Sequence, residues 1–343
     1  MDSKEENFGK IVSAFKKLLP VLSFIIPFAI LYSLYPHSFE STWKGRTYYF
    51  FFIWLILLET ILSWEEFKKE KWRAKPIKTF ALAVFIMFPT IYVVVANFYG
   101  FNALTVDLAL KYKIGGSEAS FANMMPLSFE YLVLTIAFAL IILTEYGISN
   151  LPKYAISTFF LGLIGMVYLI DNLYPYGWFT PLQIVVPTTA QLAANFLNFM
   201  GFQTKLDNIT NPVYGSLTIL KVYNSEGVTL TSFAIGWPCA GADSLLIYSI
   251  ITLAFLKKSN VSLKAGLAYF LVGAIVTYAI NILRVVSIFI IAINGGDWAR
   301  FHDYYGSLYS TTWIISYPLI IVGSQALWRR LKTGKLRLPP ISR

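Results

Sequence analysis

The chain has 343 residues, 57% hydrophobic and 13% charged, with 28 lysines and arginines against 18 acids and a net charge of +10. Soluble domains are roughly 45–50% apolar and about a quarter charged, so a mean hydropathy of +0.61 excludes disorder, a collagen, a disulfide-stapled secreted fold and an ordinary cytosolic enzyme. One cysteine rules out an intramolecular disulfide and a cysteine metal site, and two histidines leave little room for any metal centre, so neither metal nor cofactor is expected.

A membrane-spanning helix needs about 20 apolar residues. The first candidate, 18–35, carries Pro20 and Pro27, lacks a small-residue cleavage site and precedes further spans, so it reads as a span and not a signal peptide. Runs at 48–64, 78–98, 127–145 and 154–173 follow, giving five spans within 1–173. The segment 174–240 differs. Its apolar stretch 181–200 is interspersed with Pro181, Pro187, Gln191, Asn195 and Asn198, which suits an interfacial or re-entrant helix. Thr218 to Tyr223 and Val228 to Ile235 are rich in β-branched and aromatic residues around Asn224-Ser225-Glu226-Gly227, the pattern of a β-hairpin. Three more spans, 241–256, 265–293 and 309–328, and a basic tail, 329–343, complete the chain. The expected fold is a single all-α polytopic membrane domain of about eight spans, with one interfacial helix and a small external hairpin.

Basic residues orient it, because short cytoplasmic loops collect lysine and arginine. They cluster at Lys4, Lys10, Lys16 and Lys17, at Lys68, Lys69, Lys71, Arg73, Lys75 and Lys78, at Lys257, Lys258 and Lys264, and at Arg329, Arg330, Lys332, Lys335, Arg337 and Arg343. All four clusters fall on one side only if 181–200 does not cross. Both termini are then cytoplasmic and 174–240 is outside. The positive charge is thus a topology signal, and no nucleic-acid partner is expected. Asn208-Ile209-Thr210 on the outer side forms a glycosylation sequon, a cheap motif that recurs on the inner side at Asn260-Val261-Ser262.

Three residues stand out chemically. Cys239, in Gly236-Trp237-Pro238-Cys239-Ala240-Gly241-Ala242-Asp243-Ser244, is expected at a helix N-terminus, where free N–H groups favour the thiolate; the plainer reading is a small buried hydrophobe. Arg284 lies inside an apolar span without an acid to pair it, at a cost of at least ~2.5 kcal/mol. Asn281 is one turn earlier on the same face. The structural alternative is neutralisation by Glu59, Glu130, Glu145 or Asp171. His302, before the last span, can take and return a proton near neutrality. His37 reads as an interface residue. Cys239, Arg284 and His302 all map to the outer half of the membrane.

The elements Cys-x-Gly-x-x-Ser (Cys239, Gly241, Ser244), Asn-x-x-Arg (Asn281, Arg284) and His-x-x-x-Gly (His302, Gly306) resemble, in order and spacing over about 181–328, the archaeosortase/exosortase family of membrane cysteine transpeptidases, with a lean to its archaeal branch. The resemblance implies that Cys239 attacks a peptide carbonyl near the C-terminus of a secreted protein and forms a thioester. Arg284 would bind the oxyanion and His302 would act as general base and acid; a membrane-lipid amine or water would then release the product. Some archaeal members carry a second arginine in place of the histidine, so Arg300 close by leaves open which residue holds the role of His302; Asn281 and Arg300 are also candidates for binding substrate. Implied substrates carry a C-terminal motif, one transmembrane helix and a basic tail. Tyr174, Tyr176, Trp178 and Phe179 could line their approach, although an interfacial aromatic belt is the ordinary reading. The competing readings are a transporter of an anionic solute using Arg284, a membrane acyl- or phosphotransferase and a non-catalytic assembly subunit. None of these needs Cys239.

Overall fold

The computed structural model describes residues 2–63, 76–113, 119–175, 178–211, 215–259 and 261–332. The basic cluster 68–75, Tyr176, Asn260 and the tail from 333 lie outside the described residues. Ten main helices occur: α1 (Asp2–Leu34), α2 (Tyr48–Leu62), α3 (Pro76–Phe98), α4 (Phe101–Lys111), α5 (Ala119–Tyr146), α6 (Ala155–Leu173), α7 (Val186–Phe199), α8 (Ala242–Lys258), α9 (Leu263–Ile293) and α10 (Leu308–Lys332).

Among the described residues five segments are long and apolar enough to cross a membrane: Lys17–Leu34, Pro76–Phe98, Phe121–Tyr146, Ile148–Leu173 and Leu263–Ile293. These match five of the expected spans. The other three are helical but fall short by length or polarity. At 15 residues α2 is only about 22 Å long against a hydrocarbon core of roughly 30 Å. Helices α8 and α10 turn polar residues inward, with Asp243, Ser244, Thr252, Ser310 and Thr311 all buried. Helix α7, with 14 residues, is shorter than a span, and its Ala190, Ala193, Ala194 and Leu197 face is buried. The helix α4 has no counterpart in the sequence reading.

Successive long helices run antiparallel, so the bundle has two ends. At one, Lys78 donates to the Glu145 carbonyl (2.8 Å), and Lys258 bonds the Lys153 carbonyl and approaches Glu59 at 3.5 Å. Glu59 also accepts from Ile156 N (3.1 Å) and Ser157 N (3.0 Å). At the other end lie the 41–47 loop, the sheet and the starts of α8 and α10. Between them Phe24, Phe52 and Phe138 pack edge-to-face with centroids 5.1–6.0 Å apart, the arrangement that ring quadrupoles favour.

The expected hairpin is a three-stranded antiparallel sheet, β1 (Gln203–Asn211), β2 (Gly215–Tyr223) and β3 (Thr229–Ile235), in the order β1-β2-β3. The two predicted strands are β2 and β3. The first strand, Gln-Thr-Lys-Leu-Asp-Asn-Ile-Thr-Asn, is too polar to announce itself by hydrophobicity. Its Asp207 accepts from Lys221 of β2 at 2.8 Å, so a cross-strand charge pair does what apolar alternation does elsewhere.

Candidate active site

Strand β3 runs into the turn Gly236-Trp237-Pro238-Cys239, anchored by the fully buried Trp237. Two outside side chains hold the carbonyls of this turn. Asn281 Nδ2 of α9 donates to the Cys239 carbonyl (3.1 Å), and the Thr189 hydroxyl of α7 donates to the Ala240 carbonyl (2.9 Å). Gly241 caps α8 at φ 90°, and a Cβ there would come within 2.6 Å of Asn281 Nδ2. Glycine is therefore required two residues after the cysteine on both backbone and steric grounds. Ser244, the third member of the same element, bonds Ser310 of α10 at 3.2 Å. Cys239 itself lies in the turn two residues before the cap that opens α8.

The histidine rides on a single π turn, Phe301–Tyr305, a rare geometry that recurs at functional sites. The loop between α1 and α2 clamps it. The Asp303 carbonyl accepts from Thr42 N (2.8 Å) and Trp43 N (3.0 Å) and from Thr42 Oγ1 (3.1 Å). The Trp43 ring meets the His302 ring edge-on at 5.3 Å. That loop is in turn fixed by two buried ion pairs. Lys44, itself in a left-handed backbone conformation (φ 46°), reaches Asp171 (2.7 Å) and Asn172 (2.7 Å). Arg46 makes a two-pronged pair with Glu130 (2.7 and 2.8 Å).

These two turns meet. Cys239 Sγ lies 3.3 Å from His302 Nε2, and His302 Nδ1 lies 2.9 Å from Asp303 Oδ1. Burial alone raises the thiol pKa, but the facing His302 charge and its hydrogen bond, with Arg284 behind, bring Cys239 below the usual thiol value. Burial also works against the imidazolium, yet Cys239 and Asp303 outweigh it and push His302 up to about 9. Both shifts favour a thiolate–imidazolium pair, with the carboxylate fixing the ring. The pair opens into a cavity of about 330 Å³ also lined by Trp43, Phe121, Met124, Ala234 and Gly236.

A pH dependence follows. The thiolate exists above the lowered Cys239 pKa and the imidazolium below about 9, so steps that need His302 as an acid should fall off as pH rises through that value. Alkylation of Cys239 by iodoacetamide should approach its full rate at a lower pH than alkylation of an ordinary thiol. Asp303→Asn removes a carboxylate that favours the charged ring, so the alkaline limb should move to lower pH in that variant. An unmoved limb would make Asp303 a bystander.

Arg284 sits 4% exposed on α9, and among the described residues its Nε, Nη1 and Nη2 have no hydrogen-bond partner; Asn281 Oδ1, one turn away, is likewise buried and has none there. Gly306 makes room for the guanidinium, since a Cβ there would come within 2.8 Å of Arg284 Nε. The acids that might have neutralised it are engaged elsewhere. Glu59 serves the α6 start, Glu130 holds Arg46, Asp171 holds Lys44, and Glu145 ends α5 at the opposite end of the bundle. The acid whose charge reaches Arg284 is Asp243, absent from that list, and it accepts from Ser244 N (2.6 Å) instead.

Arg300 is exposed and is not brought to Cys239; its backbone N–H is capped by Asp297 (2.9 Å). Tyr174 and Trp178 are exposed away from the cavity, and Phe179 packs on Trp237. The aromatic lining comes instead from Trp43 and Phe121, on segments where no motif marked them. Lys44 and Asp171 line the same cavity, as acids and bases that only the fold pairs. Among the described residues no group of three His, Cys, Asp or Glu could hold a metal ion. A sequence model described as transmembrane exosortase matches residues 40–317. No curated protein and no solved structure matches the chain.

Proposed function

We propose, for a chain that belongs to the transmembrane exosortase family and so has a membrane transpeptidase and protein-sorting role, a thioester mechanism centred on Cys239. The observation that carries the reading is the 3.3 Å contact between Cys239 and His302 beside a buried guanidinium with no hydrogen-bond partner among the described residues. Buried polar groups are normally hydrogen-bonded, so an arginine whose charge is felt by Asp243 but whose donors are all open, beside a poised thiol, is well suited to an anion that appears only during reaction.

The Cys239 thiolate attacks the scissile carbonyl, and the oxyanion of the tetrahedral intermediate is stabilised by Arg284. The Asn281 Oδ1 acceptor beside it suits a substrate N–H. His302 gives its proton to the leaving amine as the C–N bond breaks, leaving a thioester on Cys239. A lipid amine or water then loses its proton to His302, attacks the thioester carbonyl and releases the thiolate. Substrates are secreted proteins ending in a recognition motif, one transmembrane helix and a basic tail. Eight crossings, both termini in the cytoplasm and the site on the outer face make up the topology, supported by Lys78, Lys257, Lys258 and Lys264 at the end of the bundle away from Cys239. Transport of an anion is not favoured by a chain of this family.

A thiol reagent that cannot cross membranes, applied to intact cells, should modify Cys239, the one cysteine of the chain. Hydroxylamine treatment of membranes should release a surface-protein fragment bound through that sulfur as a thioester. Labelling only after permeabilisation would reverse the orientation, and a thioester absent even from cells with abundant precursor would sink the mechanism.

A further inference from the structure

The sheet beside the active site has two edges, and they are built differently. Strand β1 carries Lys205 and Asp207, joined at 3.2 Å, with Lys221 from β2 at 2.8 Å. Charges of this kind blunt an edge against pairing with another chain. Strand β3, Thr-Leu-Thr-Ser-Phe-Ala-Ile, has neither a charge nor a proline. Among the described residues its backbone pairs with β2 alone, so its other row of N–H and C=O groups is unpaired. One face is seated, with Phe233 on Phe289 and Trp298 (5.1 and 4.6 Å), which holds the strand rigid. Ser232 and Ala234 on the alternate face are exposed. The strand ends four residues before Cys239, and Ala234 and Gly236 line the same cavity as Cys239 and His302.

We propose that the free edge of β3 is the docking site for the peptide substrate: an extended stretch next to the scissile bond adds as a fourth strand and is guided along β3 to Cys239. This rests on the peptidase reading above and adds the means of recognition. Main-chain pairing supplies affinity that tolerates sequence variation, while side chains alternating along the added strand are read by pockets. The cavity between Trp43, Phe121 and Met124 is the pocket nearest the reacting bond.

The test uses the full-length protein in its host, with a photo-crosslinking benzoylphenylalanine at Ser232 or, as control, at Lys205 on β1. In a Cys239→Ala background, the surface proteins that accumulate unprocessed should be captured from 232 at least about tenfold more than from 205, and should be identified by mass as those same precursors. In the chain that keeps Cys239, Ser232→Pro should slow processing roughly tenfold, about the effect of losing one well-placed hydrogen bond, while iodoacetamide alkylates Cys239 at the unchanged rate. Capture from 205 in preference to 232, capture of a second copy of this chain, or normal processing by Ser232→Pro would overturn the docking site. Should Ser232→Pro also disturb alkylation, the crosslinking comparison decides alone. Absence of any accumulating precursor in Cys239→Ala cells would instead bring down the peptidase reading itself.

Discussion

Cys239→Ala should reduce precursor processing by a factor on the order of 10⁴ to 10⁶, the range seen when a covalent nucleophile is removed from a site whose members act as a unit. The chain has one cysteine, so no neighbouring thiol can substitute. The same cooperativity fixes the double variant: adding His302→Ala to Cys239→Ala should cost almost nothing further, since an imidazole 3.3 Å from the sulfur has no proton to move once the sulfur is gone. Quantifying mature and precursor forms of host surface proteins in each strain reads both effects. A Cys239→Ala strain that processes normally would return the sulfur to the status of a small hydrophobe and leave the clamped His302 without an explanation.

Arg284→Lys should lower turnover by roughly 10²- to 10³-fold although the charge is kept, the loss expected from removing an oxyanion donor. Lysine is a point charge on a flexible stem, whereas guanidinium presents a planar fork of donors. The pocket around Arg284 is shaped for that fork, because Gly306 supplies space a Cβ would fill within 2.8 Å of Nε. Substrate should still bind, so uncleaved precursor should co-purify with the variant. Gly306→Ala should also lower turnover, since a Cβ there would meet the His302 carbonyl oxygen at 2.5 Å and Arg284 Nε at 2.8 Å and so disturb the histidine turn together with the guanidinium. Near-normal processing by Arg284→Lys would make the arginine a structural charge.

What the sequence reveals of this arrangement depends on range. Long apolar runs declare themselves without partners, and Pro76–Phe98 and Leu263–Ile293 lie close to the predicted bounds. The short α2 and the polar-flanked α8 and α10 look like equivalent spans in one dimension, because hydropathy counts residues and does not register that Asp243 or Ser310 faces inward. Cys239, Arg284 and His302 were visible through short spacings, and Gly241 and Gly306 show why those spacings exist: Gly241 makes way for Asn281, and Gly306 for the His302 carbonyl and the Arg284 guanidinium. Asp303 stood in plain view beside His302 but carried no signal, since an adjacent acid becomes an orienting group only when the turn directs both side chains together. Trp43 and Lys44, nearly two hundred residues from the cysteine, and Asp171, on another span, were beyond reach as its neighbours in space. Nothing in a local pattern records that proximity.

The loop at 41–47 divides responsibility for one chemical group between two halves of the chain. The imidazole belongs to the C-terminal spans, but its bearing is set by backbone donors from Thr42 and Trp43, which are held by Lys44–Asp171 and Arg46–Glu130. Leaving one member of such a buried pair alone costs about 3–5 kcal/mol, so this tether is stiff. A hybrid enzyme joining the equivalent of α1–α6 from one relative to α7–α10 from another would therefore inherit its nucleophile intact and its proton donor out of register. Rate, more than substrate choice, would be the trait such a graft puts at risk, and restoring it would take changes in the N-terminal donor loop, far along the chain from the sulfur that benefits.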